Sequence, residues 1–100
     1  MVQGHVDTVG ITRHIVQDAA AVRMTFSVPK QFMRLIVPKG SIAVDGVSLT
    51  VTDIQPAAFT VSLVSYTLAH TNLKTLHIGD KVNIETDVLA KYMETLLTKK

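Results

Sequence analysis

Lys39-Gly40-Ser41-Ile42-Ala43-Val44-Asp45-Gly46-Val47-Ser48-Leu49-Thr50-Val51 places small hydroxyl side chains and glycine turns between two short apolar runs. Asp45-Gly46 reads as a turn, flanked by strands at Ile42–Val44 and Val47–Ile54. Gly40 and Gly46 can supply backbone angles that other residues avoid, and each can let a flat ligand approach the main chain. Ser48 and Thr50 lie two apart, so a strand points both hydroxyls to one face. If that face is buried, two hydroxyls on it call for polar partners. A small polar ligand is the first expectation.

Outward from this segment the chain reads as strands. Val6 to Val16 is β-branched and threaded with Thr, with Gly10 as the expected bulge. Val22, Met24, Phe26 and Val28 alternate with Arg23, Thr25 and Ser27, a half-buried strand that Pro29 ends. Gln31 to Ile36 predicts a helical turn before Pro38. After a turn at Gln55-Pro56 comes a strand at Phe59–Val64, and Tyr66 to Leu73 has short helical spacing. Gly79-Asp80 turns the chain into a last strand, where Val82, Ile84 and Thr86 alternate with Lys81, Asn83 and Glu85. Asp87 reads as an N-cap, followed by a helix with Leu89, Tyr92, Met93, Leu96 and Leu97 on one stripe. These signals predict an all-β, six-stranded, Greek-key closed barrel over about 2–87, with short helical turns and a C-terminal helix over about 88–98.

Composition narrows the function. One hundred residues make a single domain, 1–100, with no repeat or linker. The chain is 47% hydrophobic, yet no apolar run approaches the ~18–20 residues of a membrane span. Met1 is not followed by the basic-then-apolar pattern of a signal peptide, and a cytoplasmic location is expected. The absence of cysteine excludes disulfides, thiolate metal sites and a Cys nucleophile. His14, His70 and His77 lack metal-ligand spacing and read as surface residues. A net charge of +2 without a basic stripe argues against nucleic acid as a partner.

Four stretches, in this order and spacing, are familiar together: Gly4-His5-Val6-Asp7, Gly40 to Val51, Val64-Ser65-Tyr66-Thr67-Leu68 and Gly79-Asp80-Lys81-Val82-Asn83. They resemble the C-terminal lumazine-binding barrel of riboflavin synthases, over nearly the whole chain. Members of that family carry two such barrels in tandem. The N-terminal copy begins with Met-Phe-Thr-Gly and has a Cys where Ser48 stands; this chain has neither, so it reads as a dissected second half.

The resemblance implies a dismutation of two 6,7-dimethyl-8-ribityllumazine molecules. One donates a four-carbon unit to the other, giving riboflavin and a ribitylamino-pyrimidinedione, without metal or organic cofactor. It also implies a homo-oligomer, a trimer in full-length members. The active site then forms where this barrel meets the N-terminal barrel of a neighbouring subunit. By the same resemblance Ser48 and Thr50 contact the ring and its reacting edge, and His5, beside Gly4, lies near the site. An imidazole with a reference pKa of about 6.5 suits proton shuttling. Thr67, its neighbour Tyr66 and the backbone of Val64 hold the pyrimidine edge. Gly46 and Val47 border the ring, and Lys39 and Asp45 touch the ribityl chain.

Plainer readings stay open beside these. His5 can be a turn residue, Ser48 and Thr50 strand hydroxyls bonded to neighbouring carbonyls, Thr67 a helix N-cap, and Lys39 and Asp45 turn formers. Three other functions also stay open. A non-catalytic lumazine or flavin carrier would use the same barrel. A flavin reductase barrel is disfavoured because Arg13, Arg23 and Arg34 form no Arg-x-Tyr-Ser motif, and an oligonucleotide-binding barrel is disfavoured by charge.

Overall fold

The computed structural model describes residues 7–86. Six antiparallel strands close on themselves: β1 (Thr8–Asp18), β2 (Ala21–Ser27), β3 (Ser41–Val44), β4 (Val47–Gln55), β5 (Ala58–Val64) and β6 (Lys81–Thr86). Their order around the barrel is β1-β2-β5-β4-β3-β6, and β6 returns to β1. Two connections therefore cross between non-neighbouring strands. The first, from β2 to β3, contains a 3₁₀ turn at Lys30–Leu35. The second, from β5 to β6, contains helix α1 (Ser65–Ala69) and a 3₁₀ turn at Asn72–Thr75. The closed six-stranded barrel expected from the alternation is thus present. The expected C-terminal helix over 88–98 lies outside the described residues.

Alternation explains the strands because one face of each fills the interior. Met24 and Phe26 on β2 meet Val61 and Phe59 on β5, register partners that are essentially inaccessible to solvent. The Phe26 and Phe59 ring centroids lie 5.7 Å apart with planes tilted by 41°, within the range of favourable aromatic pairs. Ile42, Val44, Leu49, Val51, Val82 and Ile84 complete the barrel core. Phe32 and Leu73 reach it from the two 3₁₀ turns.

Gly10 and its neighbours differ from the sequence reading. Gly10 sits in regular register opposite Val82, and the bulge falls at Arg13, between Thr12 and His14. A Cβ on Gly10 would meet the Ser27 carbonyl at 3.1 Å and Ile84 Cγ1 at 3.2 Å. The tight space at Gly10 comes from close approach, not from a bulge. The extra residue at Arg13 resets the strand's phase, leaving His14 exposed and turning Ile15 against the core. Arg13 itself lies outside, its Nε donating to Ser27 Oγ at 2.9 Å. Likewise the Tyr66–Leu73 segment is not one helical stretch: α1 ends at Ala69 and a separate 3₁₀ turn follows Thr71.

Thr12 carries a stability prediction. Its side chain is fully buried, and its Oγ1 has no hydrogen-bond partner among the described residues. Valine has nearly the same shape without the unpaired polar group. Thr12→Val is therefore expected to stabilise the barrel by about 0.5–2 kcal/mol, read as a higher urea midpoint at unchanged slope. A lower midpoint would show that the hydroxyl is satisfied in solution.

Candidate functional site at the parting of two strands

Two neighbouring strands part company where the candidate residues lie. The β4–β5 ladder runs from Gln55↔Ala58 to Val51↔Val61 and stops. Beyond that point Val47–Thr50 pair only with β3, and Ser62–Val64 only with β2. Had the register continued, Ser48 would oppose Val64 and Thr50 would oppose Ser62. Backbone N–H and C=O groups along the facing edges are thereby left without a ladder partner. Such groups stay available to a ligand that offers complementary donors and acceptors.

Side-chain direction follows from the core. Leu49 and Val51 are buried, so Ser48 and Thr50, which alternate with them, are exposed on the outer surface of the barrel. The two hydroxyls do share a face, as their spacing predicts, but it is the solvent face. Neither is bonded to a neighbouring carbonyl among the described residues, so both remain free to meet a ligand. Across the opening Val64 is 54% exposed, a large apolar side chain at the strand end. It starts α1, where Thr67 is half-buried and Tyr66 lies between them. Thr67 is not the N-cap: that position is Val64, with no side-chain cap, and Thr71 caps the following 3₁₀ turn by accepting from Leu73 N–H at 3.3 Å.

The hairpin bearing Ser48 and Thr50 is fixed at both ends. At its tip Asp45 and Gly46 take φ of +49° and +85° between the paired residues Val44 and Val47. Two successive positive φ values make the tight hairpin turn for which Asp-Gly is suited. Asp45 is held to β6: its N–H donates to the Asn83 carbonyl at 2.8 Å, and its Oδ1 accepts from Asn83 N–H at 2.7 Å. Asn72 Nδ2 donates to the Asp45 carbonyl at 3.2 Å. These bonds hold Asp45 in the turn, while Val47 turns inward and packs against the core.

At the other end Lys39 N–H donates to the Val51 carbonyl at 2.8 Å, and Val51 N–H donates to the Gly40 carbonyl at 2.9 Å. The positive φ of this turn, +65°, falls on Lys39 and not on Gly40 as expected. Gly40 is closely approached: a Cβ there would meet the Val37 carbonyl at 3.0 Å. Lys39 is exposed beside the strand that carries Thr50.

Gly46 is open: an added Cβ would meet nothing within 4 Å. Only its backbone angle resists substitution, so Gly46→Ala is expected to cost about 1 kcal/mol. For a domain of this size that lowers Tm by about 4–8 °C, measurable by thermal circular dichroism.

Gly4 and His5 lie outside the described residues. The remaining candidates are brought onto the β3–β4 hairpin, the turn at Lys39 that precedes it, and the β5–α1 junction. The structure adds Ser62, half-buried two residues before Val64 on the same strand face, and the supports Asn72 and Asn83. Period-two spacing from Val64 could have marked Ser62; nothing local marks the asparagines, which bond residues 27 and 38 positions away. Among the described residues no group of three or more His, Cys, Asp or Glu is placed to hold a metal ion. Nor, among these residues, is any helix long and apolar enough to cross a membrane.

Comparison with known proteins bears on this arrangement. Residues 3–87 match the family described as lumazine binding domain. The chain is 39% identical over 100 residues to a riboflavin synthase of Actinobacillus pleuropneumoniae, covering 100% of this chain and 46% of that protein. It is 42% identical over 99 residues to a riboflavin synthase of Bacillus subtilis, covering 98% of this chain and 46% of that protein. A crystal structure of LumP complexed with 6,7-dimethyl-8-(1'-D-ribityl) lumazine has the same fold, with a TM-score of 0.76 and 27% identity. That match covers 86% of this chain and 47% of LumP. The chain spans about half the length of the curated relatives it matches. With the family match running over residues 3–87, through all six strands, this chain belongs to the lumazine-binding domain family.

Proposed function

We propose that this chain is the lumazine-binding half of a riboflavin synthase and holds one 6,7-dimethyl-8-ribityllumazine at the opening between β4 and β5. The supporting observation is that the strands leave their ladder at the positions bearing Ser48, Thr50, Ser62 and Val64. A pyrimidinedione edge presents fixed N–H and C=O groups, and these match the unpaired backbone beside Val64 much as another strand would. Val64 offers apolar surface to the ring, and Thr67 and Tyr66 border the same edge. Gly46 leaves space for a flat ring to approach the hairpin, next to Val47. Ser48 and Thr50 then face the reacting side of the ring, where donated hydrogen bonds stabilise a developing anion. His5, beside Gly4, moves a proton, and Lys39 and Asp45 lie toward the ribityl chain.

In the full reaction a second lumazine stacks on the first, and a four-carbon unit passes between them. Riboflavin and 5-amino-6-ribitylamino-pyrimidinedione result, with proximity and proton transfer as the protein's contribution. The second lumazine comes on the N-terminal barrel of a neighbouring subunit, so a homo-oligomer, a trimer in the full-length enzyme, assembles the site. We place the enzyme in the cytoplasm and read 1–100 as one domain, a barrel over 2–87 with a terminal helix over 88–98. The 100-residue chain alone is expected to bind lumazine and riboflavin saturably, with feeble or no turnover.

Ligand fluorescence on titration tests the binding, and riboflavin formation from lumazine tests the turnover. Failure to bind by the folded chain would overturn the proposal. A non-catalytic carrier is the second reading, favoured by the likeness to ligand-bound LumP. Turnover restored by adding an N-terminal riboflavin synthase barrel decides for the enzyme; binding without turnover in that mixture decides for the carrier.

A further inference from the structure

We propose that Asn72 is a positioning residue, a strut that sets the width of the opening between β4 and β5. The inference rests on the reading of that opening as the lumazine site. Its two walls are the β3–β4 hairpin and the β5–α1 segment with the 3₁₀ turn Asn72–Thr75 that packs on α1, and the strands share no ladder beyond Val51↔Val61. A hydrogen bond from Asn72 Nδ2 to the Asp45 carbonyl, 3.2 Å, joins the two walls past that point.

Both feet of this strut are anchored. On one side Leu73, next to Asn72, is buried in the core. Thr71 Oγ1 accepts from Leu73 N–H and donates to the Leu68 carbonyl at 3.1 Å, and Thr75 Oγ1 donates to the Asn72 carbonyl at 3.1 Å. On the other side Asp45 is clamped to Asn83 by two bonds. An amide held between fixed ends fixes the distance between them. Asn72 is itself exposed, so its replacement leaves no cavity in the core. Its chemistry is specific: an aspartate of the same shape has no donor and sets a carboxylate against the Asp45 carbonyl.

Asn72→Asp and Asn72→Gln test the strut in the full chain, with amide hydrogen exchange as the ligand-free readout. For Asn72→Asp the ladder-bonded amides of Val47, Leu49, Leu63 and Ser65 are expected to exchange about three- to tenfold faster, while those of Met24 and Val61 stay at wild-type rates. Asn72→Gln, which keeps the donor on a longer arm, is expected to restore part of the protection. The dissociation rate of 6,7-dimethyl-8-ribityllumazine should rise about three- to tenfold in Asn72→Asp. Wild-type exchange rates along both walls in Asn72→Asp would overturn the strut, whatever the ligand does. Faster exchange in a chain whose wild-type form binds no lumazine would support the strut and remove the lumazine assignment instead.

Discussion

Phe59→Ala is expected to destabilise the barrel by about 3–5 kcal/mol, the largest effect of any single change considered. Phe59 is fully buried, is the register partner of Phe26, and stacks on it with centroids 5.7 Å apart. Truncation removes the transfer free energy of the ring and leaves a cavity that a closed sheet cannot collapse to fill. A domain of this length has a total stability of about 5–15 kcal/mol, so the variant sits near its unfolding threshold. Urea unfolding followed by far-ultraviolet circular dichroism measures the change. A loss below about 1 kcal/mol would mean that the Phe26–Phe59 pair does not anchor the core.

The second large effect is on binding alone. Ser48→Ala with Thr50→Ala is expected to weaken lumazine binding about ten- to a hundredfold, from the loss of two hydrogen bonds to the ligand. Each single change should cost about three- to tenfold. Stability should hardly move, since both side chains are exposed and bonded to no other described residue. Fluorescence titration and urea midpoints on the same samples separate the two effects. An unchanged affinity in the double variant would remove both hydroxyls from the site. A large fall in the midpoint would make them structural.

Local pattern made much of the fold legible. Alternation in Val22–Val28 and Val82–Thr86 located β2 and β6, and Asp45-Gly46 located the tight hairpin. Glycine roles were less legible. Gly10 and Gly40 are crowded by the Ser27 and Val37 carbonyls, which an added Cβ would meet at 3.1 and 3.0 Å, and the Ser27 contact comes from a neighbouring strand. The positive φ that a glycine would accept freely falls on Lys39, held by the Val51 carbonyl.

At the site, spacing put Ser48 and Thr50 on one face but left open whether that face was inside or out. Leu49 and Val51 decide it, because the barrel has one apolar interior and they occupy it. The parting of β4 from β5 depends on register between segments, which no local pattern encodes. The Asn72–Asp45 bond spans 27 residues and is illegible for the same reason.

Amide chemical-shift mapping during titration of the 100-residue chain with 6,7-dimethyl-8-ribityllumazine tests the central claim most directly. The account predicts saturable shifts concentrated at Val47–Thr50 and Ser62–Thr67, with the β1–β2 face (Val16, Arg23) unmoved. Saturable shifts elsewhere on the barrel, or none in the folded chain, would contradict it.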